Sequence, residues 1–187
     1  RLVFLRVLLK EIAKNHGMFI TFMPKPTIGD WRSGAHINFS LTSTANNKNI
    51  FEGKNGKFSD TAYHAVGGLI RHGTEITAVA CSTVNSYNGL VPIVGGFEGG
   101  VHTWAPTQMA YGDNNRSCML RLPQNRFCIE NRAADMCMNP YLSLALTTMA
   151  VMDGIKNKID PGKPLNVNLY TLSPEEIKAS KIKSLPR

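Results

Sequence analysis

Long apolar runs, paired cysteines and strings of like charge are all missing from this 187-residue sequence. No apolar stretch approaches the ~18 residues that a membrane-spanning helix needs, so no membrane partner is expected. The apolar start, Leu2 to Leu9, is broken by Arg6 and followed by Lys10 and Glu11, so it reads as an amphipathic helix and not as a signal peptide. Charged residues make up only 18% of the chain, which excludes a long solvated coiled coil. The four cysteines, Cys81, Cys118, Cys128 and Cys137, form no C-x-x-C pair. A structural zinc site is therefore not expected, and the thiols read as reduced ones in a cytoplasmic protein. No internal repeat occurs. The balance of 21 Lys+Arg against 13 Asp+Glu gives a net charge of +8. With no basic run and no interleaved aromatics, that charge suits an anionic small substrate and argues against nucleic acid.

What is present is ample core material, with 43% hydrophobic residues. Leu2, Leu5, Leu9 and Ile12 predict a helix to Lys14, stopped by Gly17. Met18 to Met23 reads as a buried strand ended by Pro24 and Pro26. Gly34 to Leu41 reads as a second strand. Ala35, Ile37, Phe39 and Leu41 take one face, while His36, Asn38 and Ser40 take the other. Thr42 to Lys57 is loop. Ser59 and Asp60 cap a helix predicted to run to about Cys81, in which Gly67-Gly68 signals close packing against a neighbour. Ser82 to Tyr111 is a long loop, and such loops are often functional. Strands follow at Ser117 to Leu122 and Arg126 to Arg132. Asn139-Pro140 opens a helix whose expected core face is Tyr141, Leu142, Leu144, Ala145, Met149 and Met152, ended by Gly154. Ser173-Pro174-Glu175-Glu176 opens a short last helix. Elements mix without a βαβ rhythm, so the expected class is α+β: a mixed, mostly antiparallel sheet with packed helices.

Two strands gather polar residues on a single face. One carries His36, Asn38 and Ser40; the other carries Arg126, Glu130 and Arg132. A carboxylate flanked by arginines is unusual for solvent. It is either a buried structural ion pair or part of the surround of a charged ligand. Arg116 and Arg121 add cations just upstream, and converging guanidinium groups suit phosphate. His36 and Glu130 together offer donors for Mg²⁺ or Mn²⁺, with further carboxylates required from elsewhere. His64 and His72 read as packing or surface residues, His16 as a helix-end residue, and Trp31 and Trp104 as structural; His102 lies in the long loop.

TFMPKP at 21–26, SGAHINFSL at 33–41, NSY at 85–87, NNRS at 114–117, IENRAAD at 129–135, NPYL at 139–142 and DGIKNKIDPG at 153–162 occur in this order. Together they resemble the C-terminal catalytic part of the glutamine synthetase family. The segments GDWRSGAHINFSL and TWAPTQMAYGDNNRSCMLRLP look more like its amine-using branch, the glutamate–methylamine ligases and gamma-glutamyl amide synthetases.

The resemblance implies a ligase of nitrogen metabolism that activates the gamma-carboxylate of glutamate with ATP. Ammonia or a small amine then attacks the gamma-glutamyl phosphate. It implies His36 and Glu130 as metal ligands. Asn38, Ser40, Arg116, Arg121 and Arg126 are implied on the nucleotide side. Gly34 and Arg132 are implied at the substrate, with Arg116, Arg132 and Glu98 in the catalysis itself. It further implies a homo-oligomeric ring with sites between subunits. The start at Arg1 rather than Met suggests a piece of a longer chain. On that expectation residues 1–187 form the C-terminal part of the catalytic domain, lack the N-terminal part and are inactive alone.

The chain also departs from the family pattern. The common Asn-Ser-Tyr-Lys-Arg run reads Asn85-Ser86-Tyr87-Asn88-Gly89 here, and the resemblance implies a lost arginine for the alpha-carboxylate. Trp31-Arg32 replaces a frequent Asn-Gly. Cys128 stands where some relatives carry another arginine. Two alternatives therefore stay open: a non-catalytic structural relative, and a ligase for a different acid.

Overall fold

The computed structural model describes residues 1–27, 30–90, 105–180 and 182–186. Among these residues are six α-helices and four strands. The helices are α1 Leu2–Asn15, α2 Asp60–Arg71, α3 Gly73–Ala80, α4 Val84–Asn88, α5 Pro140–Lys156 and α6 Pro174–Ala179. The strands are β1 Ile37–Phe39, β2 Gln108–Asp113, β3 Cys118–Leu122 and β4 Ile129–Asn131.

The strands form one sheet in the order β1-β4-β3-β2. β4 pairs antiparallel with both neighbours, and β2 pairs parallel with β3. The expected mixed, mostly antiparallel sheet is what forms. Its outer edge at β2 is covered by the C-terminal segment: Leu165 N–H donates to Tyr111 O at 2.8 Å and Met109 N–H to Lys183 O at 2.8 Å. Covering an edge in this way blocks pairing with other chains.

One face of the sheet packs on the helices. Phe51, Val66, Leu69, Ile76, Met119, Leu120, Leu122, Ile129 and Val151 share one buried cluster. α2 lies against α5 at backbone contact distance. A β-carbon on Gly68 would stand 2.0 Å from Ala150 O, and one on Gly67 would stand 2.2 Å from Ile159 O. The close packing expected of the glycine pair is present. Ser59 caps α2 by accepting from Ala62 N–H, and Asn139 caps α5 by accepting from Tyr141 and Leu142 N–H.

Several sequence expectations need correction. Met18 to Met23 forms no strand, and Phe19 is 92% exposed. The helix expected to Cys81 breaks at His72, where φ −100° and ψ 20° leave the helical region before Gly73. The ring of His72 bonds Asp153 of α5 at 2.9 Å across that break. The long loop contains α4, opened by a Thr83–Ser86 capping box, and the start of β2. The strands expected at 34–41 and 126–132 keep ladder pairing over only three residues each.

The largest error concerns α5. Tyr141, Leu142, Leu144, Met149 and Met152 are exposed. The buried face is Ser143, Thr147, Ala150, Val151 and Gly154. Small residues let α5 approach α2 closely, so the helix turns its larger side chains outward. α1 behaves alike: it is helical as expected, but only Ala13 is buried.

Candidate active site

Register builds the site. Asn38 pairs with Glu130 across β1 and β4, and Glu130 pairs with Arg121 across β4 and β3. Residues directly opposite in a sheet share a face, so the three side chains stand in one row. The neighbours in sequence, Ile37, Ile129, Asn131 and Leu120, are buried on the opposite face. The alternation expected from 35 to 41 holds: Ile37 is buried, while His36, Asn38 and Ser40 are exposed.

Glu130 is the hub of the row. Its Oε1 lies 2.9 Å from Nδ1 of His36 and accepts from Nη1 of Arg132 at 3.3 Å. Its Oε2 accepts from Nη1 of Arg121 at 2.7 Å. Burial alone would raise the pKa of this carboxyl. Hydrogen bonds from His36 and Arg121, with the charge of Arg132, outweigh it and bring the pKa down to about 2. Glu130 is therefore ionised at neutral pH and can only accept hydrogen bonds. It follows that Nδ1 of His36 carries the proton toward it. In the neutral ring this leaves a lone pair on Nε2.

Each arginine is held separately. Arg121 also donates from Nε and Nη2 to Oδ1 of Asn114, at 3.0 and 2.5 Å. Asn114 has φ 54°, a left-handed conformation that asparagine tolerates better than most residues. Arg132 is buried and donates from Nε to the Arg116 carbonyl at 3.1 Å. Arg126 donates from Nη2 to Oδ1 of Asn38 at 2.9 Å. Arg116 is exposed, and its positive charge acts on Arg132.

The structure thus brings together His36, Asn38, Glu130, Arg121, Arg126, Arg132 and the Arg116 backbone. Gly34 lies beside them, since a β-carbon there would stand 3.1 Å from Nε2 of His36. Ser40 is exposed on the same side of β1. Glu98, His102 and Trp104 lie outside the described residues.

The donor set suits a divalent cation in part. An imidazole nitrogen and a carboxylate held ionised are ligands that Mn²⁺ and Mg²⁺ accept. Two donors fall short of a full coordination sphere, and among the described residues no group of three His, Cys, Asp or Glu could hold a metal ion.

Sequence reasoning overlooked Asn114 and a second buried cluster. Cys81 donates to the Ala133 carbonyl at 2.9 Å, as does Arg32 at 2.6 Å, and Arg32 stands 3.7 Å from Asp135. Burial pushes the Cys81 thiol up to about 12, with smaller opposing effects from Arg32 and Asp135. Asn85 and Lys25 exchange reciprocal hydrogen bonds of 2.7 and 2.8 Å, joining the 21–26 and 85–87 segments. Those residues lay within quoted motifs, but nothing in their spacing marked them as partners.

Comparison with known proteins gives the chain its family. The family model "Glutamine synthetase, catalytic domain" matches residues 1–187. A glutamine synthetase of Helicobacter pylori is 40% identical over 187 residues, covering 97% of this chain and 37% of the relative. A glutamate–methylamine ligase of Methyloversatilis universalis is 42% identical over 181 residues, covering 95% of this chain and 39% of the relative. A solved GmaS structure in complex with ADP superposes with a TM-score of 0.84 at 36% identity, covering 100% of this chain and 41% of that one. The chain therefore spans well under half the length of the relatives it matches.

Proposed function

The chain belongs to the glutamine synthetase family, and on that premise we propose that the protein carrying it is an ATP-dependent ligase. It joins ammonia or a small amine to the gamma-carboxylate of glutamate through gamma-glutamyl phosphate. The observation that supports this most is the single-face row of Asn38, Glu130 and Arg121, with His36 and Arg132 closing on the same carboxylate.

Phosphoryl transfer depends on positioning and on charge placed where the transferred group passes. Arg121, Arg126 and Arg132 come from separate segments, and Arg116 adds a fourth guanidinium at the rim. Together they bind the phosphate oxygens and hold the transferred group in line with the acid. Glu130 keeps Arg121 and Arg132 at fixed angles, while Asn38 does the same for Arg126. His36 and Glu130 would hold part of the sphere of a Mg²⁺ or Mn²⁺ ion, which when bound neutralises charge on the nucleotide phosphates. Ser40 and Asn38 face the nucleotide, and Gly34 leaves room for the acid beside His36. Glu98 is assigned to the incoming nucleophile. The remaining ligands belong to other parts of the protein, and the active assembly is a ring with sites between subunits.

A non-catalytic relative accounts poorly for Glu130, because a buried carboxylate held by two guanidinium groups and an imidazole is expensive to keep. Release of ADP by the intact protein, with ATP, Mg²⁺ or Mn²⁺, glutamate and either ammonia or methylamine, tests the reading. Amine-dependent ADP release is expected. Metal-dependent ATP binding with no turnover of any acid–amine pair would sink it.

A further inference from the structure

Arg32 and Gly89 are in contact. A β-carbon on Gly89 would stand 3.0 Å from Cδ of Arg32 and 3.2 Å from both its Cβ and Nε. The arginine fills the space that a side chain at position 89 would need. It reaches there from the segment next to Gly34, and it is only 6% exposed.

Its hydrogen bonding is incomplete. Nη2 donates to the Ala133 carbonyl at 2.6 Å. The Asp135 carboxylate is 3.7 Å from Nη2, too far for a hydrogen bond. Among the described residues, Nε and Nη1 are buried without a hydrogen-bond partner, and so is Oδ2 of Asp135. A purely structural ion pair gains its stability by satisfying such groups, and leaving them unmade is costly. A guanidinium that is buried, charged and short of partners is suited to an anion that arrives from outside.

Its position connects it to the row around Glu130. Ala133, whose carbonyl holds Arg32, directly follows Arg132. The charges of Arg132 and Arg32 both act on the Tyr170 phenol, which burial pushes upward. Trp31, the neighbour of Arg32, is 52% exposed, so this segment reaches the surface.

We propose that Arg32 selects the acid substrate: its unpaired N–H groups receive the carboxylate that does not react, and Gly89 is glycine because this guanidinium enters from the other segment. The proposal rests on the ligase reading and names the group that chooses the acid. Asp135 balances the arginine when no acid is bound.

The test is steady-state kinetics of the intact protein with Arg32→Lys, Arg32→Gln and Gly89→Ala, each checked by thermal melting. Glutamate is compared with 4-aminobutanoate, which keeps the reacting carboxylate and lacks the other one. Arg32→Gln is expected to raise the glutamate KM roughly 10- to 100-fold, with the KM for ATP nearly unchanged. Arg32→Lys retains the charge that Asp135 needs, so it covers the case in which Arg32→Gln fails to fold. It is expected to raise the glutamate KM about tenfold, because an ammonium lacks the planar fork. Gly89→Ala should raise the same constant by pushing the arginine aside. In all three the preference for glutamate over 4-aminobutanoate should shrink. If folded variants keep that preference, or if the KM values for ATP and both acids rise together, Arg32 is structural and the proposal falls alone. If the unaltered protein turns over no acid, the ligase reading falls first and takes this proposal with it.

Discussion

Arg121 and Glu130 are register partners across β3 and β4, and their side chains close a 2.7 Å ion pair on the face they share. Backbone pairing therefore sets the distance between the Arg121 guanidinium, proposed above to bind phosphate, and the carboxylate that orients it. The remaining contacts to Glu130 come from His36 and Arg132, which lie just beyond strand ends.

Removing the charge of Glu130 should cost both stability and nucleotide binding. Glu130→Gln leaves Arg132 buried beside a neutral amide. A destabilisation of roughly 3 kcal/mol is expected in urea unfolding, as for a broken buried ion pair. Metal-dependent ATP binding should weaken in the same variant, as measured by calorimetry.

The acid limb of stability should trace to the same carboxyl. Its folded pKa of about 2 lies below its ordinary value of 4.5. A lowered carboxyl pKa contributes stability above the unfolded value and loses it as pH falls through the folded one. Unfolding free energy should drop between pH 4.5 and about 2, by an amount of the order of 3 kcal/mol. Glu130→Gln should flatten that limb; an unchanged slope would assign it to other carboxyls.

Arg132→Lys should lower turnover by roughly 100-fold or more while far-ultraviolet circular dichroism stays as it was. An ammonium cannot serve the Arg116 carbonyl and Glu130 in the paired geometry of a guanidinium. Full activity in this variant would remove Arg132 from the catalytic scheme.

Gly68→Ala should be severely destabilising, although alanine normally favours a helix by roughly 0.5–1 kcal/mol. The added carbon would stand 2.0 Å from Ala150 O and 2.8 Å from Gly154 Cα, both backbone atoms. α2 and α5 would have to separate. A melting temperature unchanged from the parent would refute the close contact.

Thiol labelling should separate the cysteines. Cys81, Cys118 and Cys128 are buried, and Cys137 is partly exposed. Burial pushes Cys81 and Cys118 up to about 12. A thiol reagent at pH 8 should modify Cys137 first, and the other three only in denaturant.

How much of this was readable beforehand depended on the kind of signal. The alternation from Ala35 to Leu41 placed His36 and Asn38 on one face because a period of two leaves no other arrangement. The same logic put Arg126, Glu130 and Arg132 together. It could not say that ladder pairing would cover three residues in each strand, since backbone bonds leave no mark in side-chain pattern. α5 misled for a different reason. It carries apolar residues all around, so hydrophobicity did not choose a face. Close approach to α2 chose it, through Ala150 and Gly154. The Arg32–Gly89 contact joins distant segments, and only the folded chain displays it.

The outward-turned side chains of α1 and α5 have a practical consequence for anyone preparing this stretch by itself. Phe4, Val7, Leu142 and Met149 are each more than half exposed to water. Such a preparation will adhere to resins, scatter light as it is concentrated, and demand mild detergent or a solubilising fusion.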